Sequence, residues 1–491
     1  MDFSRLVGSA LIPLALLGSV CAQEVQERFR PAIQEAAEAR TLEPNLRKLT
    51  DEIGGRVPGT AANEAAVAWA QQAFTAAGAD SVRVEPFSMA TSWTEGDTRV
   101  TVTSPVKFSV HAVSIAWSPN LNVSARVVDV GFGTPQEFAR AGNLNGAILL
   151  VHSEILKTWD DLFAEYLRAS PIIETALRGH AAGIAWESSR EFDILYRHIN
   201  AVAGKFDRIP SVLITHEDAE RVARLLKTNP TVQMAVAMNN KLGGAIKPAN
   251  VVAELRGTEF PDEYVLLGAH LDSWDLGTGA LDNGCDAALV IETLRSLKAA
   301  GWKPRRSIRF VLFNGEEQGM LGSQAYVEAH KAEMDKIAGV IIFDTGTGKF
   351  TGFSLGGRKD IQEKVNDITV AFDRWNAMTN TADAFWGTDN LDFLLEGVPT
   401  LVANQETANY LINYHATSDT FDKVDFAELR KNLLIATYTV ARLSEAQEHL
   451  GARQNRSEID QLLMDTKLDE QLKLFGYWND WLDGKRGRSK Q

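Results

Sequence analysis

Chemistry could be done at five places in this sequence, four of them at the end of an apolar run or beside a glycine. VLLGAH ends on His270, GALDNG presents Asp282, VLFNGEE delivers Glu316 and Glu317, VIIFD ends on Asp344, and NYHATSDT offers His415. Two imidazoles and four carboxylates gathered at one sheet edge would be severely destabilised by repulsion and desolvation. A pair of divalent cations removes the problem. Two zinc ions about 3.5–4 Å apart share one bridging carboxylate, and each takes an imidazole and a further carboxylate. The inventory fits His270 and Asp344 on one ion, Glu317 and His415 on the other, and Asp282 between them. Glu316 cannot join the same ion as its neighbour without strain, so it is left to face the bound water. Metal binding lowers the pKa of such a water from about 15.7 toward about 7. Glu316 would take its proton and return it to the departing amine.

The elements that must position these groups alternate. EYVLLGAH reads as a buried strand, followed by a helix with Ala287, Val290, Ile291, Leu294 and Leu297 at helical spacing, stopping at Gly301. SIRFVLF, AGVIIFD and VPTLVA are further strands, SQAYVEAH opens a helix, and DFAELRKNLLIATYTVARLSEA closes the domain as an amphipathic helix. Upstream, GGRVPGT is turn chemistry, NEAAVAWAQQAFTAAG a helix and SVRVEPF a strand. This alternation predicts a three-layer α/β/α sandwich around a mostly parallel, mixed sheet, with the ligand site beyond the carboxyl ends of its strands. Residues 113–245 differ in texture, with short buried strands and few acid–base clusters, and read as an α/β insert. The main domain is then discontinuous, 23–112 and 246–448, and 449–491 is a charged, helix-prone extension with a solvated basic end, KRGRSKQ.

The remaining numbers exclude more than they assign. A net charge of −14 argues against a general nucleic-acid binder. Arg5, the apolar run LVGSALIPLALLGSV, and Val20 and Ala22 before QEVQERF describe a secretory signal over residues 1–22. Secreted or periplasmic location follows, with no membrane span in the mature chain. Cleavage would leave Cys285 alone, without an internal disulfide.

The segments GAHLDSWDLGTGALDNG, NGEEQG, FDTGTG and YHATSDT resemble the co-catalytic zinc aminopeptidases of peptidase family M28 over residues 45–445. HLDSWD and GTDNLDFLLEGVPT are similar to the family's plasma glutamate carboxypeptidase branch. The resemblance implies an exopeptidase of short peptides, aminopeptidase or dipeptidase, with two zinc ions on the five ligand positions above. It also implies that 113–245 is a protease-associated domain, and that the chain forms a homodimer. Asp272 is implied to orient His270 through a hydrogen bond, Asp419 to do the same for His415, and Tyr414 to donate to the oxyanion. A cis peptide is implied at Asp282–Asn283. GTDNLDF stands where many relatives carry a Ser-Asp-His run, which bears on the substrate pocket; Trp386, Phe353 and Tyr414 are candidate pocket walls.

Two rival readings exist. GFSLG satisfies G-x-S-x-G, and Ser354 with Asp389 and His415 follows the serine-hydrolase order. However, TGKFT is a poor strand, GGRKD is a poor first turn, and five candidate ligands go unexplained. A metal-free, receptor-like binding protein predicts broken ligand positions, and none is broken.

Overall fold

The computed structural model describes residues 27–197, 205–384 and 386–489. The expected secretory segment lies outside the described residues. In chain order, helix α1 (Ala61–Ala76) and strand β1 (Ser81–Pro86) are followed by β2 (Ser92–Thr94). Next come β3 (Thr98–Ser104), β4 (Phe108–Val110), β5 (Ala112–Ser114), β6 (Leu121–Asp129) and β7 (Ile148–Val151). Helix α2 (Trp159–Arg178), β8 (Gly183–Glu187), β9 (Ser211–Ile214), α3 (His216–Thr228) and β10 (Gln233–Met238) continue, and β11 (Lys241–Gly243) pairs with β2. The chain then runs through β12 (Ala249–Leu255), β13 (Phe260–His270), α4 (Cys285–Ala299), β14 (Arg306–Phe313), α5 (Leu321–Ala329) and β15 (Ile337–Ile342). It ends with β16 (Phe350–Ser354), β17 (Thr400–Gln405), α6 (Phe426–Glu445), α7 (Arg456–Asp465), α8 (Leu468–Leu474) and α9 (Trp478–Leu482).

Two large sheets result. The first has seven strands in the order β1-β12-β14-β13-β15-β17-β16. Its centre, β14-β13-β15-β17, is parallel, and the flanking strands are antiparallel, giving the expected mixed α/β sheet. Successive side chains of a strand face opposite sides, and the central strands are buried on both. Val265, Leu267 and Ala269 pack with α1, α4 and α6, whereas Leu266 packs with Tyr326 and Val327 of α5. Three layers follow. All five apolar residues predicted for α4 are buried. Gly301, at φ +67°, ends the helix by turning Trp302 N–H back to Leu297 O.

The second sheet has eight strands, β4-β3-β10-β6-β7-β8-β9-β5, with β6 to β9 parallel. It begins at Thr98, upstream of the expected boundary at 113, because Val100 and Val102 of β3 belong to the same core as Met234 and Val236 of β10. The basic C-terminal end also differs from the solvated tail expected. Helices α7 to α9 bury Ile459, Leu463, Leu468, Leu472 and Trp481 against Leu391 and Leu395. Arg486 is buried, with two hydrogen bonds to Asp392 of 2.7 and 2.9 Å. Charge composition concealed this, because the apolar positions of the three short helices are spread among acidic and basic residues.

Candidate metal centre

Strand register brings the first groups together. His270 stands opposite Phe313 in the parallel β13–β14 pair, so the Asn314–Glu317 turn begins beside it. Gly268 stands opposite Ile342, which puts Asp344 level with His270. Asp282 lies in the turn Ala280–Gly284 that opens α4, and its peptide bond to Asn283 is cis. His415 adopts φ +58°, a left-handed conformation uncommon for residues other than glycine.

His270 Nε2 is 3.1 Å from Asp282 Oδ1 and 3.1 Å from Asp344 Oδ1. His415 Nε2 is 2.9 Å from Glu317 Oε2 and 3.4 Å from Asp282 Oδ2. Asp282 therefore offers one oxygen to each imidazole. Among the described residues three groups have ligand spacing; His270–Asp282–Asp344 and Asp282–Glu317–His415 are wholly buried and share Asp282, whereas His152–Glu187–Glu220 beside the other sheet is only partly buried. Asp282 Oδ2 and Glu317 Oε1 are buried without a hydrogen-bond partner. Orphaned anionic oxygens aimed into an imidazole–carboxylate cluster are what a cation site requires.

The electrostatics agree. Burial, together with Asp344 and Glu317, holds the Glu316 carboxyl well above the usual carboxylate range. Burial and Asp282 do the same to Glu317. Asp286 and Asp389, both fully buried, are also pushed well up by desolvation. Burial depresses His415 to about 4, whereas His270 rises despite burial because Asp344, Asp272 and Asp282 surround it. Left to itself, the cluster can reduce its charge only by holding protons, on the His270 ring and on several of its carboxyls.

The supporting contacts correct two expectations. The His270 Nδ1 partner is the main-chain oxygen of Asp272 at 3.0 Å, not its carboxylate, whose Oδ1 is 3.7 Å away. That carboxylate instead accepts the N–H groups of Glu316 and Glu317, at 3.2 and 3.3 Å. Asp419 does not touch the His415 ring. It accepts Ala280, Leu281 and Asp282 N–H, and so shapes the turn that presents Asp282. His415 Nδ1 is held by the Arg197 carbonyl at 3.2 Å. Carbonyl anchoring leaves Nε2 as the free lone pair, facing Glu317 and Asp282.

Sequence reasoning missed Arg197 and Arg56. Arg197 comes from the expected insert, and its guanidinium joins Glu95 and Asp275 at 2.7 and 2.8 Å. Arg56, in the GGRVPGT turn, donates to Leu271 O, Thr278 O and Gly279 O and faces Asp419, Asp272 and Asp282. A lone arginine in a glycine-rich turn carries no such signal. Tyr414 stacks on His415 at 3.6 Å and accepts a hydrogen bond from Tyr166 of α2. Trp386 and Tyr414 line a cavity with Glu316. Phe353, in contrast, is core, packed on Phe350 at 4.8 Å. The serine-hydrolase set is not assembled: Ser354 Oγ donates to Asp383 O, while His415 faces Glu317.

Residues 250–440 match peptidase family M28, so the chain carries an M28 domain and is a peptidase by class. Carboxypeptidase Q of Xenopus laevis is 27% identical over 418 residues, spanning 83% of this chain and 86% of that protein. The human carboxypeptidase Q is 26% identical over 437 residues, 87% of this chain and 90% of its own length. Among solved structures, a peptidase M28 precursor from Shewanella amazonensis superposes with a TM-score of 0.79 at 25% identity, covering 88% of this chain and 99% of its own. A zinc aminopeptidase from Bacillus subtilis shares the fold, with a TM-score of 0.66 at 17% identity over 83% of this chain and 95% of that one.

Proposed function

We propose that the protein is an exported, dizinc metallo-exopeptidase that hydrolyses short peptides, with Glu316 as general base and acid. One observation carries this reading. Asp282 offers an oxygen to each of two imidazole–carboxylate groups, and Glu316 lies beside them on the cavity wall. His270 and Asp344 would hold one ion and Glu317 and His415 the other, with Asp282 between. Ions held there supply Lewis acidity and a water of lowered pKa.

The chain's own groups do the rest. Glu316 accepts a proton from the attacking water and passes it to the departing amine. Tyr166 donates to Tyr414, so the Tyr414 proton is available to an oxyanion forming in the shared cavity. Helix α2 lays Trp159, Phe163 and Tyr166 over the Glu316 side of that cavity. A site walled in on this side suits chain ends and short peptides rather than folded protein. No described helix is long and apolar enough to cross a membrane, and export rests on the N-terminal sequence.

The test is a peptide-library digestion by the zinc-loaded chain, recording which terminus shortens and at what length, run beside Glu316→Gln. The reading expects exopeptidase products from the wild type, and a variant that keeps its metals and loses turnover. Unchanged hydrolysis by the variant removes Glu316 as base, and internal cleavage removes the exopeptidase assignment.

A further inference from the structure

The C-terminal extension lies outside residues 250–440, yet it reaches the catalytic centre. A cavity of about 70 Å³ sits beside Glu316 and is lined by Phe163 and Tyr166 of α2, by Met320, Trp386 and Tyr414, and by Tyr477 from the α8–α9 connection. We infer that the extension is a working part of the active site, in which Tyr477 is the wall that selects apolar side chains of the peptide substrate. This inference rests on the peptidase reading above and goes beyond it, because none of the ligand-type residues determines side-chain choice.

Three sets of contacts hold the wall in place. Phe475 stacks on Trp386 with ring centroids 3.8 Å apart, and Tyr166 meets Phe475 edge-on at 6.5 Å. The Tyr477 hydroxyl donates to Gly319 O at 3.3 Å, and Gly319 N–H donates to Glu316 O at 2.8 Å, so the extension also grips the turn that carries the base. The buried Arg486–Asp392 pair and the packing of Trp481 against Leu395 fix the extension behind this wall.

The lining determines what fits. Two of its phenol protons are already engaged, that of Tyr166 with Tyr414 and that of Tyr477 with Gly319 O, and the Tyr414 proton faces the reacting centre. Glu316 and Glu317 belong to the catalytic cluster. A charged substrate side chain would lose its water against a largely aromatic lining, whereas an aliphatic one gains burial against aromatic and thioether surface. One methylene in such a pocket is worth about 10–200-fold in kcat/KM.

The experiment uses the full-length, zinc-loaded chain with the dipeptides Leu-Gly, Gly-Leu, Gly-Gly and Lys-Gly, so that neither terminus is assumed. At least one leucine dipeptide should exceed both Gly-Gly and Lys-Gly in kcat/KM by about tenfold or more. Tyr477→Ala should lower that leucine preference by about tenfold, chiefly through KM, whereas Tyr477→Phe, which keeps the ring and loses the hydroxyl, should retain it. Phe475→Leu, milder for folding, should weaken the preference in the same direction, with thermal melting as the fold control. An equal fall for every dipeptide in Tyr477→Ala, or an unchanged preference, overturns the assignment and leaves Tyr477 a structural residue. Wild-type chain that hydrolyses no dipeptide overturns the peptidase reading itself, and this inference with it.

Discussion

Two α/β sheets in this chain carry imidazoles and carboxylates at the carboxyl ends of parallel strands, and the two sets are neutralised differently. In the eight-stranded sheet, Asp129 ends β6, His152 follows β7, Glu187 ends β8 and His216 follows β9. His152 bridges two carboxylates, with Nδ1 2.5 Å from Glu187 and Nε2 3.3 Å from Asp129. Burial alone would lower its pKa, but its bonds to Asp129 and Glu187 push it up to about 10. A proton on the ring offsets much of the local negative charge. In the seven-stranded sheet, Asp272, Asp282, Asp286, Glu317, Asp344 and Asp389 are all buried with Glu316 alongside, and His415 is driven toward its neutral form. Protons on two rings cannot offset that many carboxylates. Similar residue types at similar strand ends therefore do different work, and the ratio of carboxylate to available cation separates them.

That contrast can be broken or sharpened by substitution. The largest effect is expected from Glu316→Gln, which should lower kcat by about 10²–10⁴-fold with both zinc equivalents kept, as read by elemental analysis of the same sample. Asp282→Asn, which weakens the shared ligand, should lose zinc as well as turnover. Its counterpart in the other sheet, Glu187→Gln, should leave the zinc count unchanged, and a fall there would erase the distinction between the two clusters.

Stability effects come next. Arg486→Ala leaves Asp392 buried and unpaired and should cost about 3–5 kcal/mol in denaturant unfolding. A value under about 1 kcal/mol would restore the solvated-tail reading. The smallest effect concerns pH. His152 is raised above its unfolded value, so its stabilising contribution is complete below about 6.5 and is lost as pH rises through about 10. The melting-temperature gap between wild type and His152→Gln should shrink across that window. A gap that widens toward alkaline pH contradicts the bridging proton.

Much of this architecture was legible beforehand, for physical reasons. The α4 stripe and the apolar runs YVLLGA of β13, FVLF of β14 and IAGVII of β15 could be read because buried elements leave little compositional freedom. His270, Asp344 and the Glu316–Glu317 pair could be read because each follows such a strand, and Asp282 because glycines flank its turn. The Arg197 carbonyl behind His415 could not, since a main-chain oxygen has no residue signature and its partner lies 218 positions away. Asp272 does hydrogen-bond His270, but through its main-chain oxygen, and the carboxylates of Asp272 and Asp419 bind main-chain N–H groups, which a reading of side-chain types does not register. Tyr477 was missed because the charged residues on either side of LFGYWNDWL drew the reading of a solvated extension, although its four aromatic residues are a burial signal.

Anomalous diffraction at the zinc edge from zinc-loaded crystals tests the central claim most directly. Two peaks about 3.5–4 Å apart are expected, one between His270 and Asp344, one between Glu317 and His415, and both in contact with Asp282. An empty cluster there, or zinc found only beside His152, would contradict the account.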